Sequence, residues 1–445
     1  MARRDLVGAG IALVVVVAAF VVPHLDLDPL APILSTASEP FANFADADPL
    51  FGFWNAHVGW GTPVAVLIAV GVVLWAPALA ERLTWRRLTL GTWAVSAAWA
   101  MALALVDGWH RGFVDRLTST DEYLHEVPQI TDVPQTLREF TGRILDFQPD
   151  SWTTHVSGHP PAALLSFVWL DRLGLGGGAW AAALCVAVGS SASVAVMVTL
   201  RVLGDEAMAR RAAPFLAVSP AAIWIAVSAD GMFAGVVAWG VAILALSTRR
   251  PIRRGLPLAF AAGLLLGWGV YLSYGLVLMA IPALAVLIVA RDARPLFGAV
   301  MGALVVAAVF TASGFWWFDG YALVQERYYQ GIASARPFVY WGWANFAALV
   351  CAVGLAVPAA LPRILTASRL RALRPVNVLV VAGLVAVVVA DLSALSKAET
   401  ERIWLPFYMW MLAAPAVLPR RSHRFWLAVQ AAGALLINHL ILTNW

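Results

Sequence analysis

The sequence predicts an all-α polytopic membrane protein, a bundle of about thirteen transmembrane helices with one long polar loop. Two observations point there. Of 445 residues, 61% are hydrophobic and only 13% are charged, with a mean hydropathy of +0.79. A soluble domain is usually about 45–50% apolar and about 25% charged. The charges also fall between the apolar runs rather than within them.

Taken in order, apolar segments of roughly spanning length lie at 8–23, 62–78, 90–107, 178–201, 209–228, 231–248, 256–272, 274–290, 295–313, 341–360, 376–390, 404–418 and 425–441. The first follows Met1-Ala-Arg-Arg and meets no small-residue cleavage site after Val21-Val22-Pro23, which predicts an uncleaved signal anchor. Organisation is expected as a two-helix extension over 1–89, a catalytic module over 90–290 with an external loop at 108–177, and C-terminal helices over 291–445 with external loops at 314–340 and 391–403. Cys185 and Cys351 lie in apolar runs, which argues against a disulfide framework or a zinc site.

The net charge of +4 and pI near 9.3 do not indicate nucleic acid, because the basic residues collect in short loops. With the N-terminus inside, Arg3, Arg4, Arg82, Arg86, Arg87, Arg201, Arg210, Arg211, the 249–254 cluster, Arg291, Arg294, Arg363, Arg369, Arg371, Arg374, Arg420, Arg421 and Arg424 share the cytoplasmic side. The same count treats 160–173 (PPAALLSFVWLDRL) as a segment that enters or lies on the outer leaflet and returns at Gly174–Gly178, since a crossing would place the 249–254 cluster outside.

The loop 108–160 carries the chemistry. Loops longer than about 15 residues are usually functional. Asp121 and Glu122 follow a hydrophobic helix, and a carboxylate there can take the proton of an attacking hydroxyl. The same Thr120-Asp121-Glu122 would also start a helix. His155 and His159 are spaced by four, but Gly158 and the two prolines after it speak against a helical zinc pair, so His159 is expected to bond the acceptor or the donor phosphate, or to be a turn histidine. Asp230 lies at a helix junction, as a site residue or an N-cap. Arg327 and Arg336, among Tyr328, Tyr329 and Tyr340, and Lys397 with Glu399, Glu401 and Arg402 offer cations for a lipid phosphate; the tyrosines also suit an interfacial belt. Lys397 is the only lysine in the chain. His24, Asp26, Asp28, Asp46 and Asp48 are read as a polar loop, although Asp46-Ala47-Asp48 has the form of a DxD element.

The order Asp121-Glu122, an amphipathic stretch at 133–146, His159-Pro160-Pro161, Ser219-Pro220 and Asp230 resembles the GT-C superfamily of membrane glycosyltransferases, in particular protein O-mannosyltransferases and lipid A aminoarabinose transferases. The resemblance covers roughly 90–290. It departs in two extra helices before residue 90 and in Ala162, where a large apolar residue often follows the prolines. The late LSKAETERIWLPF is similar to actinobacterial membrane proteins of this general type, and the Ala-, Val-, Arg- and Trp-rich composition suits a high-G+C bacterium.

The resemblance implies an inverting transferase that moves a sugar, mannose or arabinose by analogy, from a polyprenyl-phosphate donor to a glycan, glycolipid or protein acceptor. It would act at the outer face of the plasma membrane, with Asp121 as base beside Glu122. Asp230, His159, Arg327, Lys397, Glu401 and Arg402 would bind donor phosphate or substrate, and no divalent metal is expected. Two other readings fit the helices: a transporter or flippase of a lipid-linked or polar solute, and a non-catalytic cell-envelope scaffold. Transporters usually show inverted repeats and mid-membrane charges, which this sequence lacks.

Overall fold

The computed structural model describes residues 2–25 and 45–444, and Asp26 and Asp28 lie outside the described residues. The described chain is almost entirely helical. Helix α1 (Arg3–Val21) is followed by strand β1 (Gly52–Trp54), α2 (Gly61–Arg82) and α3 (Trp85–Ala104). The long loop then folds into four short helices, α4 (Tyr123–Glu126), α5 (Val133–Glu139), α6 (Thr154–Ser157) and α7 (Ala162–Arg172). Next come α8 (Gly178–Val202), α9 (Glu206–Ala217), α10 (Ala222–Ile225), α11 (Ala229–Thr248), α12 (Ile252–Leu272), α13 (Ala280–Ala290) and α14 (Arg294–Ala312). The chain ends with α15 (Trp317–Gln330), α16 (Phe338–Val353), α17 (Ala356–Ile364), α18 (Ala367–Arg371), α19 (Pro375–Leu392), α20 (Thr400–Ile403), α21 (Leu405–Tyr408), α22 (His423–Leu440) and strand β2 (Ile441–Thr443).

The chain is an all-α membrane protein, but the expectation of about thirteen spans needs correction. Among the described residues, seven helices are long and apolar enough to cross a membrane (α1, α2, α8, α11, α12, α14 and α19), or eight if α16 and α17, bent by 106°, count as one span. Proline explains part of the difference. Ser219-Pro220 splits the expected 209–228 segment into α9 and α10, because proline lacks the amide that would continue the helix. The 404–418 segment forms α21, with Pro406 in its first turn, and then a 3-10 stretch, Met411–Val417, that contains Pro415.

Small residues set the bundle's closest approaches. Helices α8, α11, α12 and α14 pack in succession. Between α12 and α14, Gly263 and Gly267 face Ala299 and Ala303: a Cβ on Gly267 would lie 2.7 Å from the Ala303 Cα, and one on Gly263 would overlap the Ala299 carbonyl. Helix association in lipid relies on such contact, since lipid tails are as apolar as leucine. At the other side of the bundle α1 docks on α16 and α17, where Arg363 donates from Nε and Nη2 to the buried Asp5 carboxylate at 2.7 and 2.9 Å.

The connections segregate to two faces. On one, Arg210 donates to the carbonyls of Ala80 and Leu83, Arg249 to that of Val202, and Arg420 pairs with Glu81 at 3.1 Å. On the other lie the long loop, α15, the 393–404 segment and the β1–β2 pair, antiparallel with Gly52 opposite Thr443. Helix α7 stays on this second face. At 11 residues it is too short to cross, and at its end Arg172 Nη2 donates to the carbonyls of Ile130 and Thr131.

Candidate active site

The site forms where three stretches far apart in sequence meet: Asp121–Glu122 with α6, the start of α11, and the 396–402 segment. In the first, the chain turns into α4 at Tyr123, with Glu122 at the N-cap position but making no capping bond through its side chain. Neither acid of the pair therefore serves as a cap. Asp121 is exposed, and its Oδ1 accepts from the Thr154 hydroxyl at 3.1 Å. Glu122 is 3% exposed, its Oε2 has no partner, and burial pushes its carboxyl up to about 8 against the pull of Arg402.

Helix α6 places His155, and the turn after it places His159. His155 Nδ1 lies 2.8 Å from the Asp121 carbonyl oxygen, which can only accept, so the proton sits on Nδ1 and Nε2 is left as an acceptor. Nε2 faces Arg402 Nη2 at 3.4 Å. Burial, Arg402 and His159 together depress the His155 pKa to about 3. His155 is thus a neutral ring, and its 3.6 Å approach to Glu122 is not an ion pair. His159 repeats the pattern one turn on, with Nδ1 donating to the His155 carbonyl at 2.8 Å and its ring against Tyr123 and Phe233.

Arg402 is the centre. Its Nη1 donates to Asp230 Oδ2 at 2.6 Å and its Nη2 to Glu399 Oε2 at 3.0 Å. Burial opposes its charge, but Asp230, Glu399 and Glu122 more than offset that and raise its pKa. Asp230 is not a cap either: Ser228 caps α11, and Asp230 follows in the first turn. The backbone around both partners is strained, with left-handed φ values of 75° at Val227, 69° at Ala398 and 58° at Glu399. For a β-branched valine this is a costly conformation, of the kind that clusters at functional sites.

A second group of cations continues from Glu399. Arg336 Nη1 donates to Glu399 Oε1 at 3.2 Å and to the Lys397 carbonyl at 2.9 Å, while its buried Nε has no partner. Lys397 is 7% exposed, and its ammonium sits 4.9 Å from the centre of the Tyr329 ring. Burial and the neighbouring Arg336 both depress its pKa. Among the described residues, Arg402 holds Asp230 and shares Glu399 with Arg336, while the Lys397 ammonium lies against the Tyr329 ring; Glu122 and Glu401, near Arg402, both have raised pKa values.

Of the residues expected from sequence, Glu122, Asp230 and Arg402 cluster around His155, with Asp121 at the exposed edge and His159 one turn along. Lys397 joins through Arg336 and Glu399. Arg327 pairs with Asp146, and its Nε donates to Ser157 Oγ at 3.1 Å, so it braces α6. Glu401 is fully buried and faces the N-terminal part of the chain, accepting from the Phe51 amide at 2.9 Å, and burial raises its pKa to about 7. Asp46 accepts from the Trp54 amide at 2.7 Å, a local loop contact rather than part of this site. Among the described residues no group of three His, Cys, Asp or Glu side chains is placed to hold a metal ion.

A cluster that sequence reasoning missed lies beside the β1–β2 pair. Asp107 there takes His57 Nε2 at 2.9 Å and Arg116 Nη2 at 2.9 Å, and Arg111 and Arg116 both donate to the Thr443 carbonyl. It clasps the start of the loop to the segment after β1 and to β2. A lone Asp at a helix end gave no signal of it.

No family model matches the chain, and no curated protein matches it. Solved structures of the oligosaccharyltransferase of Archaeoglobus fulgidus do show similarity. The form tethered to an acceptor peptide has 13% identity, covers 75% of this chain and 49% of that one, and gives a TM-score of 0.43. The complex with an inhibitory peptide and a dolichol-phosphate has 13% identity, 80% and 56% coverage and a TM-score of 0.46. The apo form has 13% identity, 75% and 50% coverage and a TM-score of 0.42. The chain spans about half the length of these structures. They are oligosaccharyltransferases, not protein O-mannosyltransferases or aminoarabinose transferases. At this level of likeness no activity or partner is carried across, and the functional reading rests on the residues above.

Proposed function

We propose that this chain is an inverting membrane glycosyltransferase that takes its sugar from a polyprenyl-phosphate donor. The acceptor is a hydroxyl of a glycan, glycolipid or protein at the outer face of the plasma membrane. The observation that supports this is the excess of buried cations at Lys397 and Arg336, joined through Glu399, Arg402 and His155 to an exposed carboxylate at Asp121. Buried charges are normally paired; among the described residues, the Lys397 ammonium and the Arg336 guanidinium have Glu399 as their nearby carboxylate, itself shared with Arg402, which favours an incoming anion.

In this reading the acceptor hydroxyl gives its proton to Asp121 as its oxygen attacks the anomeric carbon from the face opposite the phosphate. The bond from that carbon to the phosphate oxygen breaks, and the electron pair leaves with the lipid phosphate. Lys397 and Arg336 neutralise the charge as it grows, in surroundings where charge interactions are stronger than in water. Arg402, paired through Nη1 with Asp230 and through Nη2 with Glu399, holds the two halves together rather than binding phosphate itself. His155 supports the Asp121 backbone from one side and Arg402 from the other. The reaction as written calls for no divalent metal. Mannose, arabinose and aminoarabinose are donor sugars to be tried first, on the motif order alone.

Binding of polyprenyl monophosphate to the purified protein in lipid nanodiscs tests the anion site. Lys397→Met should weaken it at least about tenfold, since a charge-assisted hydrogen bond contributes about 1.5–3 kcal/mol. Equal affinity in wild type and Lys397→Met removes the observation on which the reading stands.

A further inference from the structure

The long loop carries a second feature that the donor site does not use. Side chains between Gln129 and Glu139, with Arg143 and Trp152, line an open surface groove of about 140 Å³, room for several water-sized groups. Its walls come from separate stretches of chain: the turn after α4, the outward face of α5, and the Arg143–Trp152 pair.

The groove's chemistry is selective. Gln129 and Gln135 supply amides and Thr131 and Thr136 supply hydroxyls, with Gln135 Nε2 donating to Glu139 and the Thr136 hydroxyl to the Asp132 carbonyl at 2.8 Å. Asp132 and Glu139 supply carboxylates; Asp132 Oδ1 accepts from the Gln135 backbone amide at 3.0 Å and Glu139 Oε1 from Gln135 Nε2 at 3.0 Å, and the second oxygen of each can accept a ligand hydroxyl. An anionic ligand would meet these two carboxylates, while the one lining cation, Arg143, is already engaged: its Nε donates to the Asp150 carbonyl at 2.7 Å and its guanidinium lies 3.4 Å from the centre of the Trp152 ring. An apolar side chain would find little to pack on, because Trp152 is 1% exposed with that arginine over its face. A neutral ligand dense in hydroxyls fits these walls.

The groove's wall is joined to Asp121 along the chain. Trp152 is followed by Thr153, whose amide donates to Glu126, and then by Thr154, whose hydroxyl donates to Asp121. We propose that this groove between α5 and Trp152 is the acceptor subsite, and that the acceptor is a neutral carbohydrate rather than a protein or lipid hydroxyl. The proposal rests on the glycosyltransferase reading above.

The test uses the full chain in lipid nanodiscs on a printed array of neutral gluco-, galacto-, manno- and arabino-oligosaccharides, with acidic oligosaccharides and Ser/Thr peptides beside them. The expected result is binding to a neutral oligosaccharide, weakened at least about tenfold in Gln129→Ala/Gln135→Ala, with polyprenyl monophosphate binding unchanged. Both glutamines are exposed, so the variant should melt as wild type does, and Thr131→Val provides a second, independent probe of the groove. Binding only to peptides or acidic glycans, no binding, or binding that both variants leave intact overturns the proposal. The two readings fail separately. Sugar transfer to a peptide while neutral glycans are ignored sinks the groove and spares the transferase; groove-dependent glycan binding without transfer from any donor does the reverse.

Discussion

Replacing Arg402 by glutamine should destabilise the protein more than almost any other single polar substitution. Its guanidinium neutralises Asp230 at 2.6 Å and Glu399 at 3.0 Å, and the three side chains are 6%, 5% and 17% exposed respectively. At an effective dielectric constant of about 20, each contact is worth about 4 kcal/mol before desolvation is subtracted. Removing one partner from a buried pair typically costs about 3–5 kcal/mol, because the remaining charge is left without compensation. Glu399 keeps Arg336, so most of that cost falls on Asp230. The expected loss is therefore about 3–5 kcal/mol, read by SDS titration in mixed micelles. Asp230→Asn on top of Arg402→Gln removes the orphaned charge and should recover a large part of it. A single variant within about 1 kcal/mol of wild type, or a double variant equal to the sum of the two singles, would refute the view of Arg402 as the keystone.

Two further effects follow from packing and protonation. Gly263→Leu should destabilise the α12–α14 contact strongly, since even a Cβ overlaps the Ala299 carbonyl; Gly91→Ala in α3, with nothing within 4 Å, should be neutral or stabilising, and melting of both variants checks the contrast. The Glu122 carboxyl is raised from near 4.5 to about 8. Its neutral form is the one the fold favours, so its stabilisation is complete below pH 4.5 and is lost as pH rises towards 8. The slope over that range is up to about 1.4 kcal/mol per pH unit. Glu122→Gln should flatten it, and an unchanged pH profile would contradict the burial assigned to this carboxyl. His155 runs the other way: with its pKa lowered from 6.5 to about 3, its contribution is present above pH 6.5 and is lost on acidification.

The sequence was most legible where the physics is local. Lipid demands long apolar helices and keeps charge at the faces, so α1, α2, α8, α11, α12, α14 and α19 stood out as runs, and the short α7 could be kept from crossing by the charge count. Segments that contain proline misled, because an average over 209–228 or 404–418 is apolar whether or not the helix continues. Within the site, Asp121, Glu122, Asp230 and Arg402 were each conspicuous as polar groups beside apolar runs. Their pairing was not. Arg402 and Asp230 are 172 positions apart, and no period or spacing encodes a tertiary ion pair. For the same reason His155 looked like half of a weak metal motif when its ring nitrogens are committed to Asp121 and Arg402. Arg336 was legible as a candidate phosphate cation and Glu399 as an acid beside Lys397 and Arg402, but their pairing and burial were not, since burial is a property of the fold.

The most direct measurement is transfer of radiolabelled sugar from a panel of polyprenyl-phosphate donors, by the purified protein in lipid, beside its Asp121→Asn variant. The account predicts transfer with inversion by the wild type and loss of at least about a hundredfold in the variant, the low end of what a positioned general base contributes, with folding and polyprenyl-phosphate binding retained. Wild-type turnover by Asp121→Asn, or no transfer by the wild type from any lipid-linked sugar, would contradict it.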